Sequence, residues 1–130
     1  MIHVMDSSAL LAVSKGELGA EYVMELLQTQ DCVISSVNAA EVATRLLDMG
    51  LPAQELDRAV SLFRLDIVDF NYEQALACAN LRVHTKSAGL SLGDRACLTL
   101  TKLMDGCAVT ADHAWVDIKE AAQVRVLMIR

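Results

Sequence analysis

The chain alternates short β-favouring apolar runs with longer stretches whose apolar residues recur every three or four positions. Ile2-His3-Val4-Met5 is the first run, and it stops at Asp6. Ser7 or Ser8 can then cap a helix through Ala9–Val13. Gly16 and Gly19 interrupt the helical pattern, which resumes over Glu21–Gln30. Cys32-Val33-Ile34 reads as a second strand, stopped by Ser35-Ser36. Val37–Met49 carries one apolar stripe and meets Gly50 as its C-terminal stop. Pro52 sits where a further helix would begin, with Leu56, Val60 and Phe63 on its apolar face. Leu65–Phe70 is a strand candidate of mixed quality. A long helix is predicted from Asn71 or Tyr72 through Lys86, ended by Gly89, and another over Leu92–Met104. Cys107–Thr110 is a strand, Asp112–Ile118 a short helix, and Val124–Ile129 the last strand.

Strands alternating with helices over the whole length predict one α/β domain, residues 1–130, with a mainly parallel sheet covered on both faces. A hydrophobic content of 54% against 22% charged residues excludes a disordered chain. No apolar run approaches the ~20 residues a membrane span needs, and the opening residues do not read as a secretory signal. Cys32, Cys78, Cys97 and Cys107 form no C-x-x-C pair, and three of them lie in apolar surroundings, so buried free thiols in a reducing cytoplasm are expected.

In such a sheet, chemistry belongs at the carboxyl ends of the strands. Three strand ends lead into acids: Asp6 after the first, Glu41 in the first turns after the second, and Asp112 just after Thr110. Asp94 opens the helix Leu92–Met104. Carboxylates gathered in one place repel unless a cation intervenes. Hard oxygen donors without His or Cys suit Mg²⁺ or Mn²⁺ rather than zinc, and point to metal-assisted phosphoryl chemistry. Each acid also has a purely structural reading. Ser91-x-x-Asp94 and Asn38-x-x-Glu41 both have the shape of a capping box, Asp112 can cap the helix holding Trp115, and Asp6 can favour the positive end of the first helix.

Net charge weighs on the other side. Eleven Lys/Arg against seventeen Asp/Glu give −6, so the broad basic footprint of a nucleic-acid binder is absent, and at 4% aromatics there is little for bases to stack on. Taken alone, that balance favours a small-molecule enzyme or a protein-binding module.

Four motifs shift the weight. Val4-Met5-Asp6-Ser7-Ser8-Ala9-Leu10-Leu11 resembles the opening signature of PIN-domain nucleases, and Ser36-Val37-Asn38-Ala39-Ala40-Glu41-Val42 their second motif. Leu90-Ser91-Leu92-Gly93-Asp94-Arg95-Ala96-Cys97-Leu98 is similar to the third, and Val109-Thr110-Ala111-Asp112-His113-Ala114-Trp115 to the fourth. Their order and spacing resemble the small VapC-type toxins of bacterial toxin–antitoxin pairs, over essentially the whole chain.

The resemblance implies a PIN-like three-layer α/β/α sandwich around a sheet of four to five strands. It implies that Asp6, Glu41, Asp94 and Asp112 are the metal-binding, catalytic acids, supported by Ser8, Asn38 and Thr110. His113 stands where many relatives have Arg, which touches the grip on the backbone phosphate. Asp117 is a further acid, read first as a solvated helix carboxylate. The implied activity is a Mg²⁺- or Mn²⁺-dependent endoribonuclease that cuts structured RNA, tRNA foremost, to 5′-phosphate and 3′-hydroxyl ends. Arg95, Lys86, Arg82, Arg45 and His113 are candidate phosphate contacts. The implied partners are RNA and a cognate antitoxin. The high apolar content of a small chain adds an expected homodimer, and Leu46, Leu47, Leu56, Val60, Leu62 and Phe63 are candidates for a protein-binding surface.

Other classes fit less well. A PIN-fold RNA-processing or protein-binding scaffold with weak or no turnover would not need four intact acids. A receiver-like phosphoacceptor wants paired acids after the first strand, and Asp6 has no acidic neighbour. Leu10 breaks the D-x-S-x-S adhesion pattern, and Ser8 stands where a dehalogenase-type phosphatase needs its second Asp.

Overall fold

In the computed structural model, which describes residues 1–130, five strands form one sheet in the order β3-β2-β1-β4-β5, and every pairing is parallel. The strands are β1 (His3–Met5), β2 (Cys32–Ser35), β3 (Asp66–Val68), β4 (Cys107–Thr110) and β5 (Arg125–Met128). The helices are α1 (Ser7–Lys15), α2 (Ala20–Thr29), α3 (Ser36–Asp48), α4 (Leu56–Ser61), α5 (Tyr72–Thr85), α6 (Leu92–Leu103) and α7 (Trp115–Ala122).

Alternation along the strands splits the apolar residues between two cores. Val4, Val33 and Ala108 face one side, where they pack with Leu81, Leu98, Trp115 and Ile118 of α5, α6 and α7. Met5, Ile34 and Val109 face the other, against Leu10, Val23 and Val42 of α1, α2 and α3. The result is the expected α/β/α sandwich. β1 feeds α1 on one face, while its neighbour β4 feeds α7 on the other. The chain therefore reverses its winding between β1 and β4, and a crevice opens at their carboxyl ends, where ligands bind in open α/β sheets.

Several boundaries differ from the sequence reading. α1 begins at Ser7, which places Asp6 rather than a serine at the N-cap. α3 is capped by Ser35, whose Oγ accepts from Val37 N at 3.2 Å. Asn38 and Glu41 thus lie inside the helix, and their capping-box reading fails. The Leu65–Phe70 candidate shrinks to three residues because β3 is an edge strand with Asp66 and Ile67 exposed. α4 is reached through a 3₁₀ turn at Ala53–Glu55. The last helix runs from Trp115 to Ala122, later than Asp112–Ile118, since the residues after Thr110 form a tight turn first. Of the four cysteines, three are buried and all are free.

Candidate active site

Asp6 lies at the carboxyl end of β1, beside the point where the winding reverses. It ends β1 in extended backbone and occupies the N-cap position of α1, yet its side chain makes no capping bond. Ser8 Oγ and Thr110 Oγ1 both donate to its Oδ2, at 2.7 and 2.9 Å. The same two hydroxyls accept from the backbone of the loop after β4: Ala111 N donates to Ser8 Oγ at 2.9 Å and Asp112 N to Thr110 Oγ1 at 3.0 Å. Each hydroxyl therefore spends its proton on the carboxylate and a lone pair on the loop, which sews β1 to β4 across the crevice.

Only 4% of Asp6 is exposed. Burial pushes its carboxyl from the ordinary 3.8 up to about 6, against the lowering pull of Ser8 and Thr110, and the charges of Asp94 and Glu41 add to the rise. Three of the acids therefore share one electrostatic neighbourhood although they lie far apart in sequence.

Glu41 comes from the second turn of α3. Asn38, fully buried one turn earlier, donates its Nδ2 to Glu41 Oε1 at 2.8 Å and to the Gly93 carbonyl at 3.0 Å, which ties α3 to the start of α6. Asp94 sits in the first turn of α6 and completes a capping box: its Oδ2 accepts from Ser91 N at 2.9 Å, and Ser91 Oγ accepts from Asp94 N at 3.1 Å. Here the structural reading of the acid holds, and it occupies one oxygen only. Asp112 is exposed beyond Thr110, with Oδ1 accepting from Ala114 N at 3.0 Å.

The four acids share a pattern. Each has one carboxylate oxygen fixed by the protein and a second that takes no hydrogen bond from it. No three acidic, His or Cys side chains stand close enough to ligate a single ion outright, so the cluster is open rather than a closed cage. An open, all-oxygen set fits Mg²⁺ or Mn²⁺, because Mg²⁺ keeps several waters and needs only one or two carboxylates. Buried Asn38 Oδ1, with no partner of its own, is a further acceptor beside the acids.

The other sequence candidates are placed differently. Arg95 is half-buried, and its Nη1 donates to the Cys78 carbonyl at 3.1 Å, so this guanidinium braces α6 against α5. Arg45, Arg82, Lys86 and His113 are exposed. Arg45 lies one turn beyond Glu41, on the wall of a groove of about 700 Å³ that it shares with Ser7, Ser91 and Leu92. Asp117 is exposed on α7, as a solvated helix carboxylate should be. Two contributors were missed in the sequence: Ser35, the actual cap of α3, and Gly93, whose backbone Asn38 binds. A lone glycine in the first turn of an apolar helix was the available signal for the second.

A family model described as PIN domain matches residues 4–121. A comparison with curated proteins finds no match. Among solved structures, the chain is similar to VapBC-1 from nontypeable Haemophilus influenzae, with 18% identity, a TM-score of 0.74, and 99% of this chain and 98% of that one covered. It is similar to FitAcB from Neisseria gonorrhoeae at 17% identity, with the same TM-score and coverage. It is also similar to a toxin–antitoxin complex from Klebsiella pneumoniae at 19% identity and a TM-score of 0.74, with 98% of each chain covered.

Proposed function

This chain belongs to the PIN domain family, and on that premise we propose that it is a Mg²⁺- or Mn²⁺-dependent endoribonuclease, the toxin of a toxin–antitoxin pair. The observation that carries the reading is the set of half-committed carboxylates around a buried Asp6. Asp6, Glu41 and Asp94 would hold the ion, directly or through water, and Asp112 would complete the site at its outer rim. A bound divalent ion would lower the pKa of a water and offset charge on the phosphate. Ser8 and Thr110 orient the Asp6 carboxylate by holding one of its oxygens. Asn38 does the same for Glu41, and the backbone N–H of Ser91 for Asp94.

The substrate is RNA, cut to a 5′-phosphate and a 3′-hydroxyl. With few aromatics and a net charge of −6, recognition rests on backbone path and shape, which suits a structured RNA such as tRNA. The groove running from Glu41 to Arg45 offers one path for the backbone, with Arg45 as its phosphate contact.

The solved structures similar to this chain include a toxin–antitoxin complex. An antitoxin segment has a matching surface here, a groove of about 680 Å³ between α2 and α4 walled by Val13, Met24, Leu27, Leu62 and Phe63. Leu62, 71% exposed, is its most available anchor. Of the six mid-chain candidates, Leu62 and Phe63 line this groove, and Phe63 also packs against the core, as does Leu46 of α3. We further propose a homodimer, since Tyr72, Leu76 and Val83 leave an apolar stripe on α5.

The test is cleavage of structured RNA by purified protein with Mg²⁺, with chelator and Asp6→Asn as controls. Metal-dependent cutting that Asp6→Asn abolishes is expected. A folded protein that binds the antitoxin yet never cuts would favour the scaffold reading.

A further inference from the structure

Gly93 lies at the second position of α6, buried against α3. Nothing in its backbone calls for a glycine, since its φ is not in the left-handed region. Glycine loses more backbone freedom on ordering than alanine, so the reason lies in what a side chain would meet. A Cβ at position 93 would fall 2.5 Å from both Glu41 Cδ and Glu41 Oε1, and closer still to Oε2. The space a methyl group would fill is thus held by the Glu41 carboxylate.

Asn38 locks the carboxylate there. Its amide reaches Glu41 Oε1 with one proton and the Gly93 carbonyl with the other, so one buried side chain gauges the distance between the acid and the glycine backbone. Glu41 has flexible torsions, whereas Gly93 belongs to a helix fixed by a capping box. Any group added at 93 would therefore displace the carboxylate and leave the helix where it is.

We propose that Gly93 is a positioning residue of the acidic site, its absent side chain forming the seat in which Asn38 holds the Glu41 carboxylate. The proposal rests on the metal-dependent reading of the site for its functional consequence, and on packing alone for its structural one. The experiment compares wild type, Gly93→Ala and Glu41→Ala by three measurements: Mn²⁺ affinity by calorimetry, melting temperature without metal, and the side-chain amide resonances of Asn38. Gly93→Ala is expected to keep the melting temperature while losing about 10- to 100-fold in Mn²⁺ affinity, the usual effect of disturbing a ligand's support. It should also move the Asn38 amide signals in the direction that Glu41→Ala moves them, because both variants take away the same acceptor. Wild-type Mn²⁺ affinity in Gly93→Ala, or Asn38 signals that stay in place, would overturn the proposal. If wild type itself binds no Mn²⁺, the metal reading fails, and the Asn38 signals alone decide whether Gly93 seats the carboxylate.

Discussion

The starts of α1 and α6 make an instructive pair. Both helices open beside an acid at the same edge of the sheet, and the charge of Asp94 is felt at Asp6. At α6 the carboxylate of Asp94 serves its own helix, closing a capping box with Ser91. At α1 the carboxylate of Asp6 takes no backbone N–H of its helix and accepts instead from the hydroxyls of Ser8 in that helix and of Thr110 on the neighbouring strand. The first arrangement stabilises local structure and stays half-exposed. The second places a carboxylate where ionisation is opposed by burial and by two nearby acids. One helix start stabilises the fold, and the other is maintained at its expense, a usual sign of a functional position.

The largest expected effect that separates the two is on activity. Asp6→Asn should lower RNA cleavage by about 100-fold or more, the scale of removing a group that acts on developing charge. The same variant should be more stable than wild type in the absence of metal at pH 7, as read by urea denaturation. A variant that is both inactive and destabilised would mean that Asp6 belongs to the fold in the way Asp94 does.

The pH dependence of stability comes next. The Asp6 carboxyl titrates at about 6 in the folded protein against 3.8 as the ordinary value, so the native state takes up the proton first. Its contribution to stability is complete below pH ~4 and is lost as pH rises through 6. Two pKa units correspond to about 3 kcal/mol. Urea midpoints measured on metal-free protein between pH 4 and 7 should show this slope in wild type, and Asp6→Asn should remove it. Saturating Mn²⁺ should raise the wild-type midpoint at pH 7 and leave that of Asp6→Asn nearly unchanged.

The smallest effect belongs to α6. Ser91→Ala should cost about 1 kcal/mol of stability, the value of an N-cap, while cleavage stays within a few-fold of wild type. Loss of cleavage out of proportion to stability would show that the cap itself holds Asp94 in its working position, and would narrow the contrast between the two helix starts.

The strands β1, β2 and β4 were legible because each is a short buried β-favouring run ended by a polar residue. All four acids were legible as strand-end or helix-start carboxylates. What the chain pattern could not supply was which oxygen each acid spends and on what. Asn38 and Glu41 show a capping spacing, yet Ser35 lies nearer the true helix start and takes that role. Arg95 has the charge of a phosphate contact, but the packing of α5 on α6 puts the Cys78 carbonyl within its reach. β3 is shorter than its candidate run because an edge strand is paired on one side only. Gly93 gave a visible signal, and its meaning depended on a carboxylate 52 residues earlier in the chain.

The bond from Thr110 to Asp6 joins residues 104 positions apart. During synthesis, then, Asp6 leaves the ribosome well before Thr110, one of the two hydroxyls that orient it. A nascent chain lacks the Thr110 bond to Asp6 until β4 has emerged and inserted next to β1. The candidate site thus assembles only after β4 has been made, however early its first acid appears.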